Sequence, residues 1–211
     1  MERGRVEPGE VMAPDPPWQP WTPREVAERL AGVGTRWYVV AGWALDLFRG
    51  AKTREHEDIE IGVPAAGFAE VRVALADYEC DVVGSNDDGV GRRWPLDSAA
   101  FGEHFQSWFR EPSTGVYHLD VFRDPHDGDT WWCRRDMSIR RPYDEVVRTS
   151  VDGIPYLAPE IALLFKAKAA RAKDEADLEG VLPLLSAPQR DWLRSSLDRV
   201  HPGHPWLVRL G

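Results

Sequence analysis

The 211-residue sequence predicts an α/β (α+β) fold, a mixed β-sheet flanked by helices and followed by a C-terminal helical segment. Three observations carry that expectation. Short runs of aromatic and β-branched residues alternate with stretches of helical periodicity between Trp37 and Val83. Two further runs flank Pro112-Ser113-Thr114-Gly115, a turn by composition. From Pro159 onward, apolar residues recur at helical spacing in Ala-rich surroundings.

Taken in order, Pro8, Pro14, Pro16, Pro17 and Pro20 remove backbone donors and predict an extended, poorly ordered arm over residues 1–20, outside the fold. Thr22-Pro23-Arg24-Glu25 has the pattern of a capping box with Pro at the first helical position. Val26, Leu30 and Val33 form the buried stripe of that helix, and Gly32 and Gly34 end it. Residues 37–40 read as a buried strand, Ala41-Gly42 as a tight turn and 43–48 as a helix. A polar, basic loop over 50–57 then leads to a strand at 58–63. Residues 64–77 are expected to be helical, with Phe68, Val71 and Leu75 on one face, and 79–83 to form a strand. Ser85-Asn86-Asp87-Asp88-Gly89 reads as a loop, and 92–102 carries no assignable pattern. Strands are expected at 105–110, 116–122 and 131–136. One helix is expected from Pro159 to Lys173, with others at 175–185 and 188–200. The expected organisation is an arm (1–20), a main domain (21–157) and a helical segment packed on it (158–211).

The net charge of −9 argues against a sequence-independent grip on nucleic acid, which needs a basic face, and favours a cationic small molecule as partner. Cys80 and Cys133 are the only cysteines and have no metal or disulfide spacing, as expected of a protein from reducing cytoplasm. No run approaches the roughly 18 apolar residues of a membrane span, and the first residues lack a signal-peptide core.

Chemistry concentrates in Glu57-Asp58-Ile59-Glu60-Ile61. On a strand, residues two apart face the same way, so Asp58 and Glu60 would present two carboxylates from Cα atoms about 6.6 Å apart, with Ile59 and Ile61 in the core. Adjacent like charges need neutralising, and a hard cation such as Mg2+ takes oxygen ligands of this kind. Upstream, Ala41-Gly42 stands at a helix N-terminus, where backbone N–H groups can receive phosphate oxygens. Downstream, His118-Leu119-Asp120-Val121-Phe122 offers a third acid, with Asp124 and Glu103 as nearby alternatives.

The order of a strand, Ala41-Gly42-Trp43-Ala44-Leu45-Asp46, and then Thr53-Arg54-Glu55-His56-Glu57-Asp58-Ile59-Glu60-Ile61 resembles the nucleotidyltransferases of the DNA polymerase β superfamily. It is most similar to their aminoglycoside and lincosamide nucleotidyltransferase branch. Fifteen residues separate Gly42 from Asp58, as in that branch. Two positions depart from its pattern: Ala41 stands in place of the usual first Gly, and Glu60 in place of the more frequent Asp.

The resemblance implies the nucleotidyltransferase fold and Mg2+-dependent transfer of AMP from ATP to a hydroxyl of a small molecule, aminoglycoside-like in the first instance and tied to antibiotic resistance. It implies Asp58 and Glu60 as metal ligands, Asp120 as the third carboxylate, at the metal or as the proton acceptor, and Gly42 in the phosphate-binding turn. Arg54, Lys166 and Lys173 are candidates for contact with the nucleotide, the two lysines being expected on one helix face. Two other readings stay open: AMP transfer to a protein, as in antitoxin-like systems, and, suggested by the departures at Ala41 and Glu60, a nucleotide-binding module without turnover.

Other patterns are less pointed. Asp124, Asp127 and Asp129 lack the spacing and terminal Glu of an EF-hand, His201 and His204 lack further ligands, and no Walker A or Gly-x-Ser-x-Gly sequence occurs. His56 and His118 flank the proposed acids. Of ten tryptophans, Trp94, Trp108, Trp131 and Trp132 could line a pocket for a flat or sugar-bearing substrate, although core packing accounts for most such residues.

Overall fold

The computed structural model describes residues 9–13, 16–85 and 89–211; the expected loop at 85–89 falls largely outside them. The chain divides into two compact units, one of residues up to Arg36 with Glu57–Asp124, the other of Trp37–His56 with Pro125–Gly211.

The first unit opens with the helix Pro23–Arg29. Its capping box is formed as the sequence predicts: Thr22 Oγ1 accepts from Glu25 N, and Glu25 returns a carboxylate to Thr22 N at 2.7 Å. The helix stops at Arg29, short of the glycines expected to end it. Six strands lie side by side in the order Glu10–Val11, Gly91–Pro95, Glu79–Ser85, Gln106–Arg110, Tyr117–Asp124 and Glu60–Pro64. All pairings are antiparallel except the last, which is parallel and gives the sheet its mixed character. Gln106–Arg110 and Tyr117–Asp124 are joined by the expected turn, where Gly115 takes φ 71° and donates to Glu111 O. The segment without a sequence pattern supplies the strand Gly91–Pro95 and the short helix Ala100–Glu103, with Val82, Trp94 and Ala100 packed as a cluster.

The stretch expected as a helix over 64–77 begins as a 3-10 turn, Ala65–Gly67, and continues as the α-helix Phe68–Ala74. Ile59, Ile61, Val63, Val71, Phe109, Leu119 and Val121 are fully buried. The described part of the segment expected as an arm, residues 9–13 and 16–20, is paired with this unit. Glu10 and Val11 bond along Arg93 and Arg92, Gln19 N donates to Tyr117 O, and Trp18 bridges Tyr117. Proline density left enough donors for these few bonds, and Trp18 and Trp21 add apolar surface.

In the second unit, Tyr38–Val39 pairs in parallel with Pro155–Leu157, and that strand pairs antiparallel with Val147–Thr149. A separate three-stranded sheet orders Asp136–Pro142, Thr130–Cys133 and His126–Asp127. Gly128 at φ 51° makes the turn where a calcium loop was considered. The helix Ala41–Arg49 ends on left-handed Gly50. The single helix expected from Pro159 to Lys173 is two, Pro159–Lys166 and Ala172–Val181, because Ala170 adopts φ 43° and turns the chain. Lys166 and Lys173 therefore stand on different helices. Ala187–Val200 completes the helical layer, and Leu45, Ile161, Leu164, Leu178, Leu193, Leu197 and Trp206 close its core.

Candidate active site

In the first unit, the strand register sets two carboxylates side by side. Glu60 lies beside Asp120 across the parallel pair, whereas Asp124 falls opposite Pro64 and Glu103 sits on the short helix Ala100–Glu103. Of the three acids that the sequence leaves open, only Asp120 lies beside Glu60 in the register. The strand itself begins at Glu60, not at Asp58 as predicted. Pairing reaches back only through Ile59 O, which accepts from Asp120 N at 2.9 Å, so the exposed Asp58 stands just ahead of the strand.

Asp120 is 3% exposed. Burial, foremost, and the charges of Glu60 and Asp58 push its carboxyl well above the usual carboxylate range, against opposing hydrogen bonds from Gln106 and Trp108. Gln106 Nε2 donates to Oδ2 at 2.5 Å. Continuing across the sheet, Trp108 stands opposite Asp120 and Asp81 opposite Trp108. Asp81 is well matched, accepting from Arg110 Nε and Tyr117 Oη at 2.9 Å each.

These ligands suit a hard divalent cation in kind: all are carboxylate oxygens, and one carboxylate is buried. Among the described residues, no three His, Cys, Asp or Glu side chains stand at metal-ligand geometry. His118, which flanks the acids in sequence, is stacked on Trp21 and bonded to Gln19 O at 2.6 Å.

The second unit gathers Gly42, Arg54 and Lys166. Ala41, the first residue of its helix, has φ 54°, in the left-handed region where an L side chain is strained; a negative φ would have accommodated the methyl group without cost. At Gly42, a Cβ would meet the Arg54 guanidinium and the His56 ring, so any larger residue would have to displace both side chains. Asp46 then ties the loop together. It accepts from Thr53 N at 3.1 Å and Thr53 Oγ1 at 2.6 Å, and meets His56 Nε2 at 2.7 Å. His56 stacks on Trp43 with ring centroids 4.2 Å apart. Burial, foremost, holds its imidazole below the ordinary value although Asp46 acts the other way, so the neutral ring donating from Nε2 fits the contact.

Arg54 reaches Asp177 at 3.3 Å, and Lys166 reaches Asp174 at 3.0 Å and Asp177 at 2.9 Å. Lys166 is consumed in this buried cluster, while Lys173 is half-buried on the next helix. Asp46 and Asp177 have no assigned role in the sequence reading, where the pair Lys173-Asp174 stands only as part of a resemblance to the second segment of the aminoglycoside and lincosamide nucleotidyltransferases. The only signal for Asp46 was its place in the Trp-Ala-Leu-Asp run.

This architecture is the nucleotidyltransferase fold, and the chain resembles the aminoglycoside and lincosamide nucleotidyltransferases. The family model described as aminoglycoside-2''-adenylyltransferase matches residues 24–90, about a third of the chain, spanning Gly42, Arg54, Asp58 and Glu60. Among solved structures, the antibiotic-resistance factor ANT(2'')-Ia in complex with adenylyl-2''-tobramycin is 13% identical with a TM-score of 0.56, covering 83% of this chain and 94% of that one. Its solution structure gives 13% and 0.53, covering 83% and 89%. The lincosamide antibiotic adenylyltransferase LnuA, lincomycin-bound, is 16% identical with a TM-score of 0.52, covering 77% and 95%. No curated protein matches the chain. Among the described residues, no helix is long and apolar enough to cross a membrane.

Proposed function

We propose that the chain is a Mg2+-dependent nucleotidyltransferase that moves AMP from ATP to a hydroxyl of a small antibiotic of the aminoglycoside or lincosamide kind. The observation that carries this reading is the register pairing of Glu60 with Asp120, with Asp58 close enough to raise the proton affinity of the same buried carboxyl. Three acids held together at this cost in repulsion are poorly suited to a structural role and well suited to a polyphosphate reaction. The family match over the stretch that contains Asp58 and Glu60 supports it.

In this reading Asp58 and Glu60 would hold the cation, which when bound neutralises the triphosphate and the departing pyrophosphate. Asp120 takes the proton of the attacking hydroxyl, a task suited to a carboxyl of raised proton affinity. The hydroxyl oxygen bonds to the α-phosphorus as the bond to the pyrophosphate oxygen breaks. Gly42, Arg54, Lys166 and Lys173 are proposed on the nucleotide side. Arg54 and Lys166 would act mainly as parts of the ion-pair network that fixes their helices, since both are paired. Cys80 and Cys133 are buried and form no disulfide, in keeping with a reducing cytoplasmic setting.

The test is pyrophosphate release and mass gain on tobramycin and lincomycin with ATP and Mg2+. Transfer by the wild type that Asp58→Asn abolishes, with an unchanged unfolding curve, is the expected result. Equal turnover in the variant refutes the assignment, and label appearing on polypeptide instead would make the acceptor a protein.

A further inference from the structure

In the second unit, the loop that carries His201 and His204 closes on a group of cations. His204 is spent on the chain itself: Trp206 N donates to its Nδ1 at 3.1 Å, and its Nε2 donates to Ala167 O at 3.0 Å. That bond seats the loop beside Lys168. Three residues before Lys168, Phe165 carries two guanidinium groups from the turn between the strands Thr130–Cys133 and Asp136–Pro142, Arg134 Cζ at 5.0 Å and Arg135 Cζ at 5.3 Å from its ring centroid. Trp131 meets the same ring edge-on at 6.4 Å.

No carboxylate acts on Arg135 or His201. The charges around His201 are those of His204, Arg135 and Lys168, and around Arg135 those of Arg134 and the Cys133 thiol. Partial desolvation, foremost, and the neighbouring cations hold both groups below their ordinary proton affinities. The nearest acids in sequence are engaged elsewhere: Asp136 accepts from Arg199 Nε at 2.6 Å and from Ser138 N at 2.9 Å, while Asp174 faces Lys166 and Arg171. Lys168 is exposed and meets no carboxylate among the described residues, and His201 Nε2 is buried without a hydrogen-bond partner. Cations gathered in this way repel one another, in a chain whose net charge is −9.

We infer that Arg135, Lys168 and His201 form a binding site for a phosphate group carried on a small molecule. A phosphate offers close to two charges and three acceptor oxygens, which suit a guanidinium fork, an ammonium and an imidazole N–H together better than the single charge of a carboxylate does. An extended nucleic acid fits less well, because the net charge opposes a grip on a long phosphate chain and the cations are confined to one turn and one helix end. Inorganic phosphate, pyrophosphate and a sugar phosphate share the required chemistry. None of the three residues is among those proposed for the metal or the nucleotide, and Lys166, two positions before Lys168, is turned into Asp174 and Asp177 instead.

The test is titration of the full chain with inorganic phosphate, pyrophosphate and glucose 6-phosphate in separate arms, and with sodium chloride at matched ionic strength as reference. Calorimetry reads affinity, and NMR reads the Arg135 Nε–H and the His201 ring. At least one phosphate should move both signals to saturation where chloride does not, and the arm that binds most tightly distinguishes a free phosphate, a diphosphate and a monoester. Arg135→Gln combined with Lys168→Gln, two exposed side chains, should weaken that binding at least tenfold, about the scale of one charge-assisted hydrogen bond, with an unchanged urea unfolding curve. Signals that move no further with the phosphates than with chloride, or binding that the double variant keeps, overturn the inference. So does an RNA oligonucleotide that outcompetes all three and is lost with the same substitutions, since the ligand would then be a macromolecule. None of these outcomes bears on the transferase reading, which is measured by product formation.

Discussion

Lys166 Nζ lies 2.9 Å from Asp177 Oδ2, and the two side chains are 7% and 3% exposed. The same carboxylate receives Arg54, and Lys166 also meets Asp174. Two cations therefore share one buried acid, and among the described residues Arg54 meets no other carboxylate.

Removing that acid leaves charge stranded in a poorly solvated place. Asp177→Ala should destabilise the protein by about 3 kcal/mol, the scale of breaking a buried pair from one side. Lys166→Met should cost less, because Asp177 keeps Arg54. Urea unfolding of both variants checks the order, and an Asp177→Ala curve that overlays the wild type would show the cluster to be energetically idle.

Backbone strain at Ala41 gives a prediction of opposite sign. An L residue at φ 54° is disfavoured by about 1–2 kcal/mol, while Gly costs part of that in chain entropy. Ala41→Gly should stabilise by about 0.5–1 kcal/mol and raise Tm by about 1–4 °C. A lower melting temperature would mean that the methyl group makes packing contacts worth more than the strain.

One position along, the same substitution run backwards should do harm. Gly42→Ala drives a methyl group into Arg54 and His56, and overpacking of this kind costs about 1–3 kcal/mol. Because His56 holds Asp46, calorimetry should show the loss, and chemical shifts of Thr53 and His56 should move with it.

Cys80 supplies a reactivity prediction. Burial, its main cause, pushes the thiol up to about 12, so at pH 8 only about one thiol in ten thousand is ionised. Iodoacetamide should leave Cys80 unmodified in the native protein and label it in urea, as read by peptide mass spectrometry. Rapid native labelling would show that this strand opens readily.

The local parts of the fold were legible because neighbouring residues decide them. Thr22 and Glu25 form their box within one turn, and the alternation around Asp120 marks a strand wherever it pairs. Asp120 itself could only be chosen over Asp124 by knowing which residue meets Glu60, which is a matter of register between distant strands. The break after Lys166 was hidden because Ala170 takes a conformation for which Gly or Asn would normally be the signal. Asp58 was drawn into a strand by its pattern, although the ladder starts later. The pairing of Glu10 with Arg93 depends on a partner 83 positions away, and proline counting in the segment pointed the other way.

That last pairing bears on how the molecule behaves in company. Glu10 and Val11 occupy the outer rail of the Gly91–Pro95 strand, Met12 N extends the bonding to Gly91 O, and Glu10 grips Arg93 through both carboxylate oxygens. A rail left open is a template on which another polypeptide can add a strand, and this one is covered by a short stretch that ends in charge. Trimming the chain back to Trp21 would uncover Arg92 and Arg93 on that strand, and with them a route to aggregation that Glu10 and Val11 obstruct.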